Sequence, residues 1–311
     1  MKRSVRWSVL VLALVLVAPP VAAQEAAGHA AASSRDIDIM HHLGNSHTLE
    51  YPCARPSLTC EWELLRIPPI RVGPVLLDLS PTKHSVFLTL AAVIVAAVFL
   101  LTARAVKRAE AAGRPARGFA GAMEAMALFI RQEVILPNVG HHGDGFVPYL
   151  LTLFFFILTA NLLGLLPWGA TATGNIAVTG TFALIAFVVI EVSGMRALKS
   201  HYLNTIFYLP PGLPGPLKPV MLLILTPVEI ISKLSKPFAL AVRLFANMTA
   251  GHVVVLALLG LTFFFSSYAV GLGASVLATG IMLLELFVAF LQAYVFVLLT
   301  SVFIGLIRAE H

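Results

Sequence analysis

Charge is scarce in this chain: of 311 residues, only 12% are Asp, Glu, Lys or Arg. With 59% hydrophobic residues and a mean hydropathy of +0.90, that scarcity excludes a disordered protein and argues against a soluble globular one. Catalytic signatures are missing as well. There is no phosphate loop of the GxxxxGKS or GxxxxGKT type, no paired zinc CxxC and no GxSxG nucleophile elbow. No motif asks for a cofactor. The formal net charge of +6 does not indicate nucleic acid, because the basic residues cluster beside apolar runs, where they orient a membrane protein. Cysteine is reduced to Cys53 and Cys60. Both fall in a polar segment, and if that segment is exported a disulfide between them is plausible.

What is present is apolar sequence in long runs. Lys2, Arg3 and Arg6 precede a short apolar stretch, and PVAAQ offers a small-residue cleavage site after Ala23. Residues 1–23 are therefore predicted to be a signal peptide, with a short first membrane helix as the alternative. Residues 24–83 are polar, proline-rich and histidine-rich, and are expected outside the membrane. His29, His41, His42 and His47 match no standard metal-ligand spacing and read as a solvated loop.

Residues 84–311 form the expected membrane domain. Apolar runs at 85–103, 146–166 and 176–195 each approach the ~20 residues a bilayer-spanning helix needs. Residues 118–136 mix apolar and charged positions at helical spacing, predicting an amphipathic interfacial helix ended by Pro137. Two longer runs follow, at 220–259 and 269–307. Forty helical residues would extend ~60 Å, about twice the ~30 Å hydrocarbon core. No polar turn divides either run, so two long, strongly tilted helices are expected, with Gly260 marking the hairpin between them. The fold class is an all-α integral membrane protein of five passes. Arg104, Lys107, Arg108, Arg114 and Arg117 follow the first span, and Arg196 and Lys199 follow the third. The positive-inside rule puts both loops, and the C-terminus, in the cytoplasm, and the mature N-terminus outside.

Within the last two runs the ionisable residues become conspicuous. Arg243 cannot shed its proton, and placing it at the centre of a spanning helix costs about 2.5–3.5 kcal/mol. Few carboxylates lie nearby in sequence, so its counter-charge is expected on another protein. At ~100° per residue, Glu229 and Arg243 project about 40° apart. Asn247 shares the Arg243 face, as does Lys236, whereas His252 points to the opposite side. Glu285 and Gln292 share a face of the following helix. An antiparallel hairpin could bring His252 and Glu285 close, either as a proton relay or as a structural ion pair. Lys233 and Lys236, nearer the basic loop, are expected to reach for headgroups.

The run SKPFALAVRLFANMTAGH, followed by FVAFLQAYVFVLLTSVFIG, resembles subunit a of the rotary ATP synthase membrane sector. VRLFANMTAG matches that family's arginine motif, and IMHHLGN, TANLLGLLP and LQAYVF also fit its pattern. The likeness runs from about Asp38 to His311. It implies that Arg243 faces a rotating ring of c subunits, and that Asn247, Glu229, Gln292 and Asn161 occupy polar channel positions. It also implies that His252 and Glu285 are the family's acid–base pair in exchanged order, and that Gly164 replaces an acidic residue found in some members. The implied function is a non-catalytic, proton-conducting stator subunit in the bacterial inner membrane. Its partners would be the c ring, a b-subunit peripheral stalk, the remaining synthase subunits and membrane lipid. A secondary transporter using Arg243 as a substrate site is the competing reading, but the sequence shows no internal repeat. A purely structural membrane anchor is a third.

Overall fold

The structure is a computed structural model that describes residues 46–52, 59–65, 68, 70–72, 75–77, 80–140, 143–166, 169, 171–205, 207, 218–265 and 267–309. The predicted signal peptide, His29, His41, His42 and Cys53 lie outside the described residues. The polar N-terminal segment contains two β-hairpins that its composition did not suggest. Strand β1 (Thr48–Pro52) pairs antiparallel with β2 (Thr59–Glu63), setting Tyr51 opposite Cys60, and β3 (Ile70–Val72) pairs with β4 (Val75–Leu77). His47 is not a solvated loop residue. It is half-buried just before β1, its Nδ1 lies 3.2 Å from the Pro81 carbonyl oxygen, and its own carbonyl accepts from the Leu64 amide at 2.7 Å.

Among the described residues, five helices are long and apolar enough to cross a membrane. Helix α1 (Lys83–Ala111) opens on a capping box in which the Thr82 amide donates to Ser85 Oγ at 2.9 Å. It outruns its predicted span because the basic residues Arg104, Lys107 and Arg108 continue the helix instead of ending it. The predicted amphipathic helix is three joined pieces: α2 (Gly118–Phe129), a π-helical turn (Ile130–Ile135) and α3 (Leu136–Val139). Pro137 does not end it. The π turn shifts the ladder so that the Leu136 amide bonds back to the Arg131 carbonyl. The proline, which has no N–H to donate, then fits in the first turn of α3. This segment buries Ile130, Val134, Ile135 and Val139 and packs on the last helix. There a side chain at Gly305 would collide with the Asn138 carbonyl.

Helix α4 (Val147–Gly164) is at the centre. Leu150, Ile157, Ala160 and Asn161 are buried, as is the Phe154–Phe156 run. Edge-to-face ring pairs link Phe155 to Phe99 of α1 (4.7 Å) and Phe156 to Phe182 of the next helix (5.6 Å). That next helix, α5 (Ile176–Leu198), starts at Asn175, whose side chain accepts from the Ala177 amide at 2.9 Å. A 3-10 segment, Lys199–Thr205, extends it.

The two long runs are two unbroken helices, α6 (Lys218–Phe265) and α7 (Tyr268–Ala309). At ~1.5 Å per residue they extend about 72 and 63 Å, so neither can stand upright in a ~30 Å core. Pro227 and Pro237 are carried inside α6. The predicted turn at Gly260 is displaced. Gly260 lies within α6, which runs on to Phe265, and α7 begins at Tyr268. One glycine costs a helix only about 1 kcal/mol, which the apolar residues around it offset. Helix α7 packs on α4, α5 and α6, and α6 also packs on α5.

Candidate functional site

On α6, Leu240, Ala241, Leu244 and Met248 form the buried stripe. Arg243, Ala246, Asn247 and Ala250 form the stripe that faces away from the other helices, at the i, i+3, i+4, i+7 spacing of one helical face. Arg243 and Asn247 thus share an exposed face, as their separation predicts. Among the described residues, no carboxylate pairs with Arg243.

The polar residues of α7 turn the other way. Glu285 and Gln292 are both buried, on one face with Ala289 and Ala293. Asn161, fully buried on α4, donates through Nδ2 to the Ala289 carbonyl at 3.2 Å. That bond places an amide between Glu285 and Gln292 along α7. The Asn161 Oδ1 is buried and has no hydrogen-bond partner among the described residues.

The hairpin sets Glu285 of α7 against α6 at the position next to His252. Glu285 lies flat against Gly251, the residue before His252. A Cβ built at Gly251 would overlap the carboxylate, standing 2.7 Å from its Cδ and 2.8 Å from its Cγ. His252 is half-buried beside this contact. Nearby, Thr249 Oγ1 donates to the Gly174 carbonyl at 3.3 Å, tying α6 to the 3-10 turn Ala172–Gly174 that precedes α5. Gly164 sits against Thr171, whose Oγ1 donates to the Gly164 carbonyl at 3.3 Å. A Cβ there would lie 3.0–3.1 Å from Thr171, so this position has no room for a carboxylate as packed.

Glu229 does not join this cluster. It is half-buried in the first part of α6. Along the axis, Glu229 lies about 21 Å before Arg243 and His252 about 13 Å after it, so the arginine separates two polar regions.

A second ionisable cluster escaped the sequence reading. Glu191, on α5, accepts from the Tyr202 hydroxyl and pairs with Lys233 of α6 at 3.8 Å. Lys233 Nζ also donates to Thr205 Oγ1 at 2.9 Å and lies 4.8 Å from the centre of the Tyr202 ring. Lys233 is therefore not reaching for headgroups: its side chain is only 13% exposed. Lys236 stacks on Phe303 of α7 at 5.1 Å. The available signal was Glu191 itself, a lone acid inside the third apolar run, and such residues are functional candidates by default.

Five long apolar helices among the described residues, with ionisable groups set between them or on one outer face, define a multi-pass membrane protein. Residues 85–305 match the family model described as ATP synthase A chain. The chain is 41% identical over 275 residues to "ATP synthase subunit a" of Chloroherpeton thalassium, covering 88% of this chain and 78% of that one. It is 43% identical over 300 residues to "ATP synthase subunit a 2" of Chlorobaculum tepidum, covering 94% and 80%. It is 41% identical over 296 residues to "ATP synthase subunit a" of Anaeromyxobacter dehalogenans, covering 92% and 74%. The chain belongs to the ATP synthase A chain family, and its role is that of the proton-channel subunit in the stator of that complex.

Proposed function

We propose that this chain, without catalytic chemistry of its own, forms two aqueous half channels that meet a rotating ring of c subunits but not each other. It sits in a bacterial inner membrane, with the mature N-terminus outside and the basic ends of α1 and α5 in the cytoplasm. A b-subunit peripheral stalk holds it against rotation. Protons enter from outside past His252, Glu285, Asn161 and Gln292 and neutralise a ring carboxylate, which then turns into lipid. After nearly a full rotation that carboxylate reaches the cytoplasmic half channel at Glu229 and releases its proton. Arg243, helped by Asn247, stabilises the ionised carboxylate as it passes. Its permanent charge blocks direct leakage between the two paths. Each proton is driven by ~2.3 kcal/mol per 100 mV.

The observation that carries this reading is the exposed Arg243, with no carboxylate partner among the described residues, standing between two polar regions of its own chain. Arg243→Ala in the intact complex tests it. Proton-driven ATP synthesis should be lost while the complex still assembles. Normal coupled synthesis would refute the mechanism, and failed assembly would favour a structural anchor.

A further inference from the structure

The Lys233 ammonium is gripped from one side only. Glu191, Thr205 and the Tyr202 ring all belong to α5 or its 3-10 extension. Glu229 stands four residues before Lys233 on α6 and is also half-buried. A glutamate four residues before a lysine is the favoured order for an ion pair within one helix. Yet among the described residues Glu229 makes no ion pair, because the ammonium is engaged elsewhere.

We propose that Glu191 is a positioning residue: together with Tyr202 and Thr205 it holds Lys233 off Glu229, leaving that carboxylate open to exchange protons. The inference rests on Glu229 serving the cytoplasmic half channel. Two features make the arrangement selective. The Tyr202 hydroxyl bonds to the same Glu191 oxygen, Oε2, that faces Lys233, which fixes the carboxylate. The Thr205 hydroxyl accepts from the ammonium and donates to the Tyr202 carbonyl at 2.8 Å, which fixes the 3-10 segment as a clamp. Without the Glu191 charge, the nearest acid on the lysine's own helix is Glu229. A cation beside a carboxylate favours its ionised form, reducing its readiness to take a proton by about tenfold or more.

The experiment compares variants of the complete ATP synthase in inverted membrane vesicles, measuring ATP-driven proton pumping with the amount of assembled complex determined in parallel. Glu191→Gln should lower pumping per assembled complex about tenfold. Glu191→Asp should restore most of it. Adding Lys233→Met to Glu191→Gln should also restore it, because the ammonium that would occupy Glu229 is gone. A merely structural role predicts the opposite, since the double variant removes both members of the contact. Glu229→Gln is measured alongside. Normal pumping in Glu229→Gln would sink the reading of Glu229 and this inference with it. Impaired Glu229→Gln with normal Glu191→Gln, or a double variant no better than Glu191→Gln, would overturn the inference alone.

Discussion

Gly251→Ala perturbs the proton path without replacing an ionisable group. The added Cβ would lie 2.7 Å from the Glu285 carboxyl carbon and 2.8 Å from Cγ, and closer still to one oxygen. Ordinary contact needs about 3.4 Å or more, so the carboxyl carbon must retreat by roughly 0.7 Å and the nearer oxygen by more, or the hairpin must open. Glu285 is buried between helices, and overpacking of this kind costs about 1–3 kcal/mol. Loaded on the proton-transfer step, that is about a fivefold to 150-fold loss of flux. Gly260→Ala is the control, because a Cβ there meets nothing within 4 Å, and alanine should favour the helix by up to about 1 kcal/mol. The assay is dye quenching by proton pumping in inverted vesicles, normalised to assembled complex. Wild-type pumping in Gly251→Ala, or equal losses in both variants, would refute the placement of Glu285 against α6.

Three other outcomes follow from the same geometry. His252→Glu alone should impair pumping and adding Glu285→His should restore part of it, whereas no recovery in the double variant would argue against a shared proton site. Asn161→Leu removes the second bond to the Ala289 carbonyl, which keeps its partner within α7, and should cost about 0.5–1.5 kcal/mol of stability in thermal unfolding of the detergent-solubilised complex. Asn175→Ala deletes the α5 N-cap and should cost about 1 kcal/mol by the same measurement, with little effect on pumping.

Much of this architecture is legible in the sequence because hydrocarbon leaves few choices. A 40-residue apolar run without a polar turn must be one long helix, and α6 and α7 are. Faces spaced by ~100° per residue correctly separate exposed Arg243 and Asn247 from the buried stripe beside them. The failures come from tertiary context. Gly260 carries the signal of a stop, but its apolar neighbours keep it helical, and α6 continues to Phe265. Pro137 reads as a terminator until the π turn gives it a place without an N–H. Strands β1 (TLEYP) and β2 (TCEWE) do alternate polar and apolar residues, a period-two signal that the proline-rich, polar composition around them hides. Glu191 and Lys233 are 42 positions apart, so only the packing of α5 on α6 makes them a pair.

The central claim is that the outer face of α6 bearing Arg243 meets the rotating ring. Single cysteines at Ala246 and Ala250, exposed on that face, and at Met248, buried between them in sequence, can be cross-linked in native membranes to cysteines placed beside the ring carboxylate. Cross-links to the ring subunit are expected from positions 246 and 250 and none from 248. Cross-linking from 248, or none from 246 and 250 in fully assembled complex, would contradict it.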